Sequence, residues 1–285
     1  FGENITIRIL DRDESVFNLE NSGMTNSVIP DYEKMISIPH GAVIITGPTG
    51  SGKTTTLYAS LTKIADIEKK IFTIEDPVEY RFPQIMQVQV NPKIHMDFAR
   101  GLRSLLRSDP DIILIGEIRD LETAKIAMEA AITGHLVLTT LHTNDAPSSL
   151  TRLLEMGVES YMISSAVKGI VAQRLVRLLC ENCKEEVDIS ESSLSDEIRP
   201  IIKGKKIYKS VGCKRCSNTG YKGRTGIFSM LTVSDKIREM LLERKSPDVI
   251  KEVARKEGMK TLLECGAMKV AEGLTSIEEM YRVVF

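Results

Sequence analysis

The octapeptide Gly47-Pro48-Thr49-Gly50-Ser51-Gly52-Lys53-Thr54 constrains this chain more than any other stretch. It fits G-x-x-x-x-G-K-[ST], with an apolar run at 42–46 before it and helical periodicity after it, so strand, loop and helix fall in register. The glycines let the backbone curl until several N–H groups face one point, which the positive end of the next helix also faces. Such a cradle takes phosphate. Lys53 would reach the β- and γ-phosphates of a nucleoside triphosphate such as ATP, and the Thr54 hydroxyl would ligate Mg2+. Residues Gly47 to Thr54, with Thr55 after them, are the expected nucleotide-binding set. The plain alternative is a glycine-rich turn that happens to fit; the flanking strand and helix count against it.

The surrounding pattern agrees. Short apolar runs at 42–46, 70–75, 112–115 and 136–140 alternate with helical stretches at 53–65, 98–108 and 121–131. That alternation predicts β-α units around a mainly parallel, buried sheet, an α/β fold of the RecA-like P-loop NTPase type. Further helices are predicted over 147–156 and 160–179, and a run of helices over 233–285. Ser246-Pro247-Asp248 places a cap before a proline-led first turn, and Ser276 with Glu279 reads as a capping box. Residues 1–10 alternate as a strand, and 11–37 read as a polar linker with one short helix. The expected layout is the last strand of a preceding domain (1–12), a linker (13–38), the ATPase core (39–179), a four-cysteine module (180–221) and a helical C-terminal domain (222–285).

With 38 Lys and Arg against 39 Asp and Glu, the chain has no overall basic bias. A general nucleic-acid binder usually shows one, so no nucleic-acid partner is expected. No apolar run reaches the ~18–20 residues of a membrane span. The chain opens on Phe1 rather than Met, without a signal-peptide pattern, and reads as a piece of a longer cytoplasmic protein. Cysteine usage fits: Cys180-x-x-Cys183 and Cys213-x-x-Cys216 have the spacing of a tetrahedral zinc site. Four thiolates without histidine suggest a closed, structural site. Cys265 stands alone as a helical core residue.

Many P-loop enzymes hold magnesium with an Asp at the end of an apolar strand. Here Gly116 occupies that place, and Glu117 comes next. One carboxylate is unsuited both to hold the metal and to activate water, so a second is required. Ile74-Glu75-Asp76-Pro77-Val78-Glu79-Tyr80 comes after another strand and is its best source. His142, at the end of the strand 136–140, is a candidate phosphate sensor. Arg100, Arg103 and Arg107 recur at helical steps, as a solvated basic face or as an arginine finger.

In this order the motifs resemble the type II secretion and type IV pilus ATPase family over nearly the whole chain. GPTGSGKTTTLYA resembles its phosphate loop, TIEDPVEY its Asp box, DPDIILIGEIRD its Walker B segment and TGHLVLTTLHTNDA its His box. The resemblance implies Glu79 as general base and Glu117 as the magnesium-linked acid. It implies His135 and His142 as the His-box pair, with His135 among the nucleotide contacts. Arg103 and Arg107 would read phosphate across subunits, and Arg8 would remain from a preceding domain. It further implies a homo-hexamer at the inner membrane's cytoplasmic face, acting on pilin or pseudopilin with a membrane platform and cytoplasmic adaptors. The four-cysteine module occurs in the family's secretion and pilus-extension members and not in its retraction motors.

Two other classes stay open. A RecA-like DNA translocase or helicase shares the loop, but would need a basic, aromatic-rich groove for single strands. A nucleotide-gated adaptor would bind ATP without turnover, against the presence of both Glu79 and Glu117.

Overall fold

A computed structural model of the chain describes residues 17–25, 28–188 and 194–285. The strand expected over 1–10, and with it Arg8, lies outside the described residues. Among the described residues, nine strands run in chain order: β1 (Gly41–Thr46), β2 (Ile71–Glu75), β3 (Met86–Gln89), β4 (Ile112–Ile115), β5 (Leu136–Leu141), β6 (Val167–Leu179), β7 (Glu185–Val187), β8 (Ile207–Lys209) and β9 (Tyr221–Thr232). Seven form one sheet in the order β3-β2-β4-β5-β1-β6-β9, while β7 and β8 pair separately. All neighbours in the large sheet run parallel except the edge pair β6 and β9. The RecA-like α/β expectation holds.

Every residue of β1, β2, β4 and β5 is buried, because helices cover both faces. Ala42 and Ile44 point into one core and Val43 and Ile45 into the other. The first core is closed by α3 (Phe98–Leu106), α4 (Leu121–Ile132), α5 (Ala146–Glu155), α6 (Ser160–Ala166), α8 (Asp235–Leu242) and α9 (Pro247–Lys256). The second is closed by α1 (Ile29–Ile36) and α2 (Lys53–Ile64). Tyr32 and Ile36 of α1 are fully buried, and the Tyr32 hydroxyl lies 2.6 Å from Ser60 Oγ of α2. Residues 28–36 are thus a packed layer of the core rather than a linker.

Two expectations are corrected. The helix expected over 160–179 ends at Ala166, and Val167 opens β6. Its apolar residues also fit a helical spacing, but β-branched Val167, Ile170, Val171 and Val176 favour a strand, and β1 and β9 hydrogen-bond to both edges. Residues 222–232, assigned to a helical domain, complete β9 instead; the helical region begins at Asp235. It comprises α8, α9, α10 (Leu262–Ala271) and α11 (Ile277–Val284). A smaller third core joins Leu263, Ala267 and Val270 of α10 and Met280 of α11 to Ile198 and Ile202 around α7 (Arg199–Ile202).

The pairing of β1 with β6 ends at Thr46 and Ala172, so residues 173–179 run on past the sheet. At ~3.3 Å per residue this ribbon extends about 20 Å beyond the carboxyl edge. It carries β9 alongside and the cysteine module at its tip.

Candidate active site

The loop after β1 curls as the octapeptide requires. Gly50 and Gly52 take φ of +79° and +86°, a region that only glycine enters without strain. Gly52 caps α2, whose first residue is Lys53. The Lys53 ammonium donates to the carbonyls of Gly47, at 2.8 Å, and Pro48, at 3.0 Å. Burial lowers its pKa; Glu117 opposes that shift and Arg174 adds to it. The Ser51 hydroxyl is buried and has no hydrogen-bond partner. Such a group costs about 1–3 kcal/mol unless something meets it. A buried unpaired donor, a converging lysine and a helix N-terminus are the chemistry that a phosphate fits.

One cavity of about 700 Å³ gathers Thr49 to Thr55 with Glu79, Glu117 and His142. Four parallel strands deliver these groups to the same edge: β1 gives the loop, β2 leads to Glu79, β4 to Glu117 and β5 to His142. Parallel strands bring their C-terminal loops to one side of the sheet, where α/β folds take ligands. The Glu117 side chain is largely buried and accepts from the Arg119 guanidinium, while His142 Nε2 lies 3.2 Å from its other oxygen. The hydrogen bond to Glu117 raises the Arg119 pKa. Arg119 also lies 3.9 Å from Asp76. Sequence reasoning missed Arg119, although GEIRD held it two residues from Glu117.

It also missed Leu175 and Arg224, which line the cavity from the projecting ribbon. Leu175 lies on the stretch misread as helix, and β9, which carries Arg224, was not expected. All three Asp-box acids line the cavity, but Glu75 is buried and bound, Asp76 is exposed and Glu79 is intermediate between them.

His135 is placed elsewhere. It precedes β5 at the opposite edge of the sheet, its Nδ1 2.9 Å from the Ala130 carbonyl. The six residues of β5 put about 20 Å between it and the phosphate-loop edge. His135, expected among the nucleotide contacts, is therefore placed away from the phosphate loop of its own chain. Arg103 of α3 and Arg107, its C-cap, are also exposed and outside the cavity. Arg103 pairs with Glu122 of α4, and Arg107 donates to Arg103 O at 3.1 Å and Ser104 Oγ at 3.2 Å.

At the ribbon tip the four cysteine sulfurs lie within 4.8 Å of one another. Three of the separations are 3.9, 3.8 and 3.8 Å. Zinc–sulfur bonds of ~2.3 Å in a tetrahedron put sulfurs about 3.8 Å apart, so the set fits zinc. Backbone N–H groups of Gly212, Cys213 and Gly220 donate to Cys183 and Cys216, as suits thiolates.

Residues 1–282 match the type II/IV secretion system protein family. The chain belongs to that family. Among its members, the type IV pilus assembly ATPase PilB of Thermus thermophilus is 50% identical over 282 residues, 98% of this chain and 32% of that protein. The type II secretion system protein HxcR of Pseudomonas aeruginosa is 47% identical, over 99% of this chain and 56% of its own length. The chain thus spans about a third to somewhat over half of these family members. The crystal structure of the pilus retraction motor PilT with bound ADP superposes with a TM-score of 0.67 at 27% identity, covering 93% of this chain and 66% of PilT. Among the described residues no helix is long and apolar enough to cross a membrane.

Proposed function

We propose that this protein hydrolyses ATP with magnesium and uses the energy to build pilin or pseudopilin fibres, as a hexameric motor on the cytoplasmic face of the inner membrane. One observation carries the reading: a phosphate loop with Lys53 shares a single cavity with the carboxylates of Glu79 and Glu117. Relatives named as a pilus assembly ATPase and as a type II secretion protein support the output.

In this reading Lys53 exchanges the Gly47 and Pro48 carbonyls for β- and γ-phosphate oxygens. Thr54 and Glu117 would hold magnesium, whose charge would neutralise those oxygens. Glu79 would orient the attacking water and take its proton. His142 and Arg119 would fix how Glu117 presents its oxygens. Arg103 and Arg107, outside their own chain's cavity, would face a phosphate on the neighbouring subunit, as an arginine finger in trans. Zinc on the four cysteines would fasten the ribbon tip, a docking platform for the membrane platform or an adaptor. The four-cysteine module favours fibre extension or secretion over retraction.

Phosphate release by the full-length protein tests this, with Lys53→Ala as the control and single-stranded DNA as an added arm. Magnesium-dependent release lost in Lys53→Ala is expected. Release indifferent to that substitution would remove the site, and strong stimulation by DNA would favour a translocase.

A further inference from the structure

Glu75 is a buried acid, only 4% exposed, for which the proposed chemistry has no use. It closes β2, one residue before the segment that leads to Glu79. Its carboxylate accepts from the Tyr58 hydroxyl and the Thr73 hydroxyl, and from Gln87 Nε2 at 3.2 Å. A carboxylate so enclosed is spent on structure rather than on water.

Tyr58 belongs to α2, five residues after Lys53, and its ring is buried. Its hydroxyl donates to the Glu75 carboxylate. Tyr58 thus reaches the end of β2 through its hydroxyl and the segment after Glu79 through the Tyr80 ring. Gln87 of β3 closes the far side, donating to the Tyr80 carbonyl at 2.9 Å and accepting from the Phe82 amide at 2.9 Å. The Tyr80 and Phe82 rings pack edge-on against Tyr58, with centroids 6.2 and 5.1 Å away.

We infer that Tyr58 and Glu75 are positioning residues that tie the Glu79 segment to the phosphate-loop helix. The inference rests on the proposed role of Glu79. Because α2 starts at Lys53, Glu79 is registered against the element that holds the phosphates, not against the sheet alone. General-base catalysis needs hydrogen-bond geometry to within tenths of an ångström, and a small misplacement costs large factors in rate. Nucleotide binding, in contrast, depends on the loop and Lys53, which the phenol does not touch.

The test is a double-mutant cycle on the full-length protein. Tyr58→Phe keeps the ring and removes the oxygen. Expected is a fall in kcat of about tenfold or more, with ATP affinity held within about twofold. If Tyr58 acts through Glu79, adding Tyr58→Phe to Glu79→Gln costs nothing further. A merely structural role would lower both backgrounds equally, and that result, or a parental kcat in Tyr58→Phe, would overturn the inference. Should Tyr58→Phe fail to fold, Glu75→Gln in the same cycle decides on the same terms, since an amide has one acceptor oxygen where the carboxylate uses two, one for Tyr58 and one for Thr73 and Gln87. A Glu79→Gln protein at parental rate would instead remove the role of Glu79 itself.

Discussion

His142 Nε2 and a carboxylate oxygen of Glu117 lie 3.2 Å apart, brought together from the ends of two adjacent strands. The sequence suggested a histidine that senses phosphate; the structure gives it a partner in its own chain. Arg119 takes the other oxygen of the same carboxylate. Glu117 is therefore oriented from both sides by groups of its own chain.

That arrangement gives the first prediction. His142→Ala leaves one Glu117 oxygen unconstrained, so turnover should fall about tenfold while nucleotide affinity stays within about twofold. Its effect should shrink once Glu117 is already Gln, because neighbours acting on one group are not additive. Steady-state kinetics of the two single variants and the double variant decide the matter. Independent, multiplying losses would show that His142 acts on something other than Glu117.

The two acids should separate in kinetics. Glu79→Gln is expected to bind ATP and magnesium nearly normally yet lose on the order of a hundredfold or more in rate, the mark of a missing general base. Glu117→Gln should instead shift the magnesium concentration that gives half-maximal activity. A shifted magnesium requirement in Glu79→Gln with a normal one in Glu117→Gln would reverse the two assignments.

The octapeptide and four flanking strands were legible because local geometry and burial on both faces leave few other readings of GPTGSGKT and IILI. Val167–Leu179 was not, since its apolar residues satisfy a helical spacing as well as an extended one; only pairing with β1 and β9 decides it. The site partners Arg224 and Leu175 went unread with it. Glu75, Asp76 and Glu79 look alike in sequence, and burial against Tyr58 is what sets Glu75 apart. His135 was placed by resemblance, while the direction of β5 puts it at the wrong edge for its own chain's nucleotide.

Metal content gives a third prediction. The purified protein should carry about one zinc per chain on Cys180, Cys183, Cys213 and Cys216. Cys180→Ser should abolish it and loosen residues 180–221, along with the contacts of α7 on α10 that share the third core. Nucleotide binding should persist, because the loop lies at the other end of the ribbon. Elemental analysis without metal, and four freely reactive thiols, would refute the site.

A fourth concerns pH. Ser276 does cap α11, accepting from the Glu279 amide at 3.2 Å, but the expected capping box is not completed. The Glu279 carboxylate turns instead to Arg177 and Arg282, with Arg contacts of 2.7–3.0 Å. Burial would raise its pKa; the hydrogen bonds from Arg282 and Arg177 overcome this and hold it at about 2, below the usual 4.5. A depressed carboxyl adds stability that is present above its unfolded pKa and lost as pH falls towards 2. Glu279→Gln should thus cost roughly 2–4 kcal/mol at pH 7, and the gap to the parent should narrow between about pH 5 and pH 2. Denaturant titrations across that range measure it; a gap independent of pH would mean the cost is packing alone.

The last prediction concerns Arg103 and Arg107. Both are exposed, Arg103 on α3 and Arg107 at its C-cap, and neither lines the cavity of its own chain, so any work on phosphate must be done on another chain. An arginine supplied in trans is worth 10³–10⁵ in rate, enough to make turnover depend on assembly. Residues 1–285 alone should bind nucleotide well, since the loop, Thr54, Glu79 and Glu117 lie within them, yet specific activity should climb with protein concentration as rings form. The sharper measurement is complementation. Lys53→Ala has intact arginines and a dead loop; the double variant Arg103→Ala, Arg107→Ala has the reverse. Mixed before assembly, they create sites where an intact loop faces a neighbour's intact arginines, so activity should return although each parent is inactive. If Arg103 and Arg107 serve only as a solvated face, the arginine variant alone will turn over normally. If they act within one chain, mixing will restore nothing. Only recovery on mixing fits a motor whose phosphate site is completed by the next subunit.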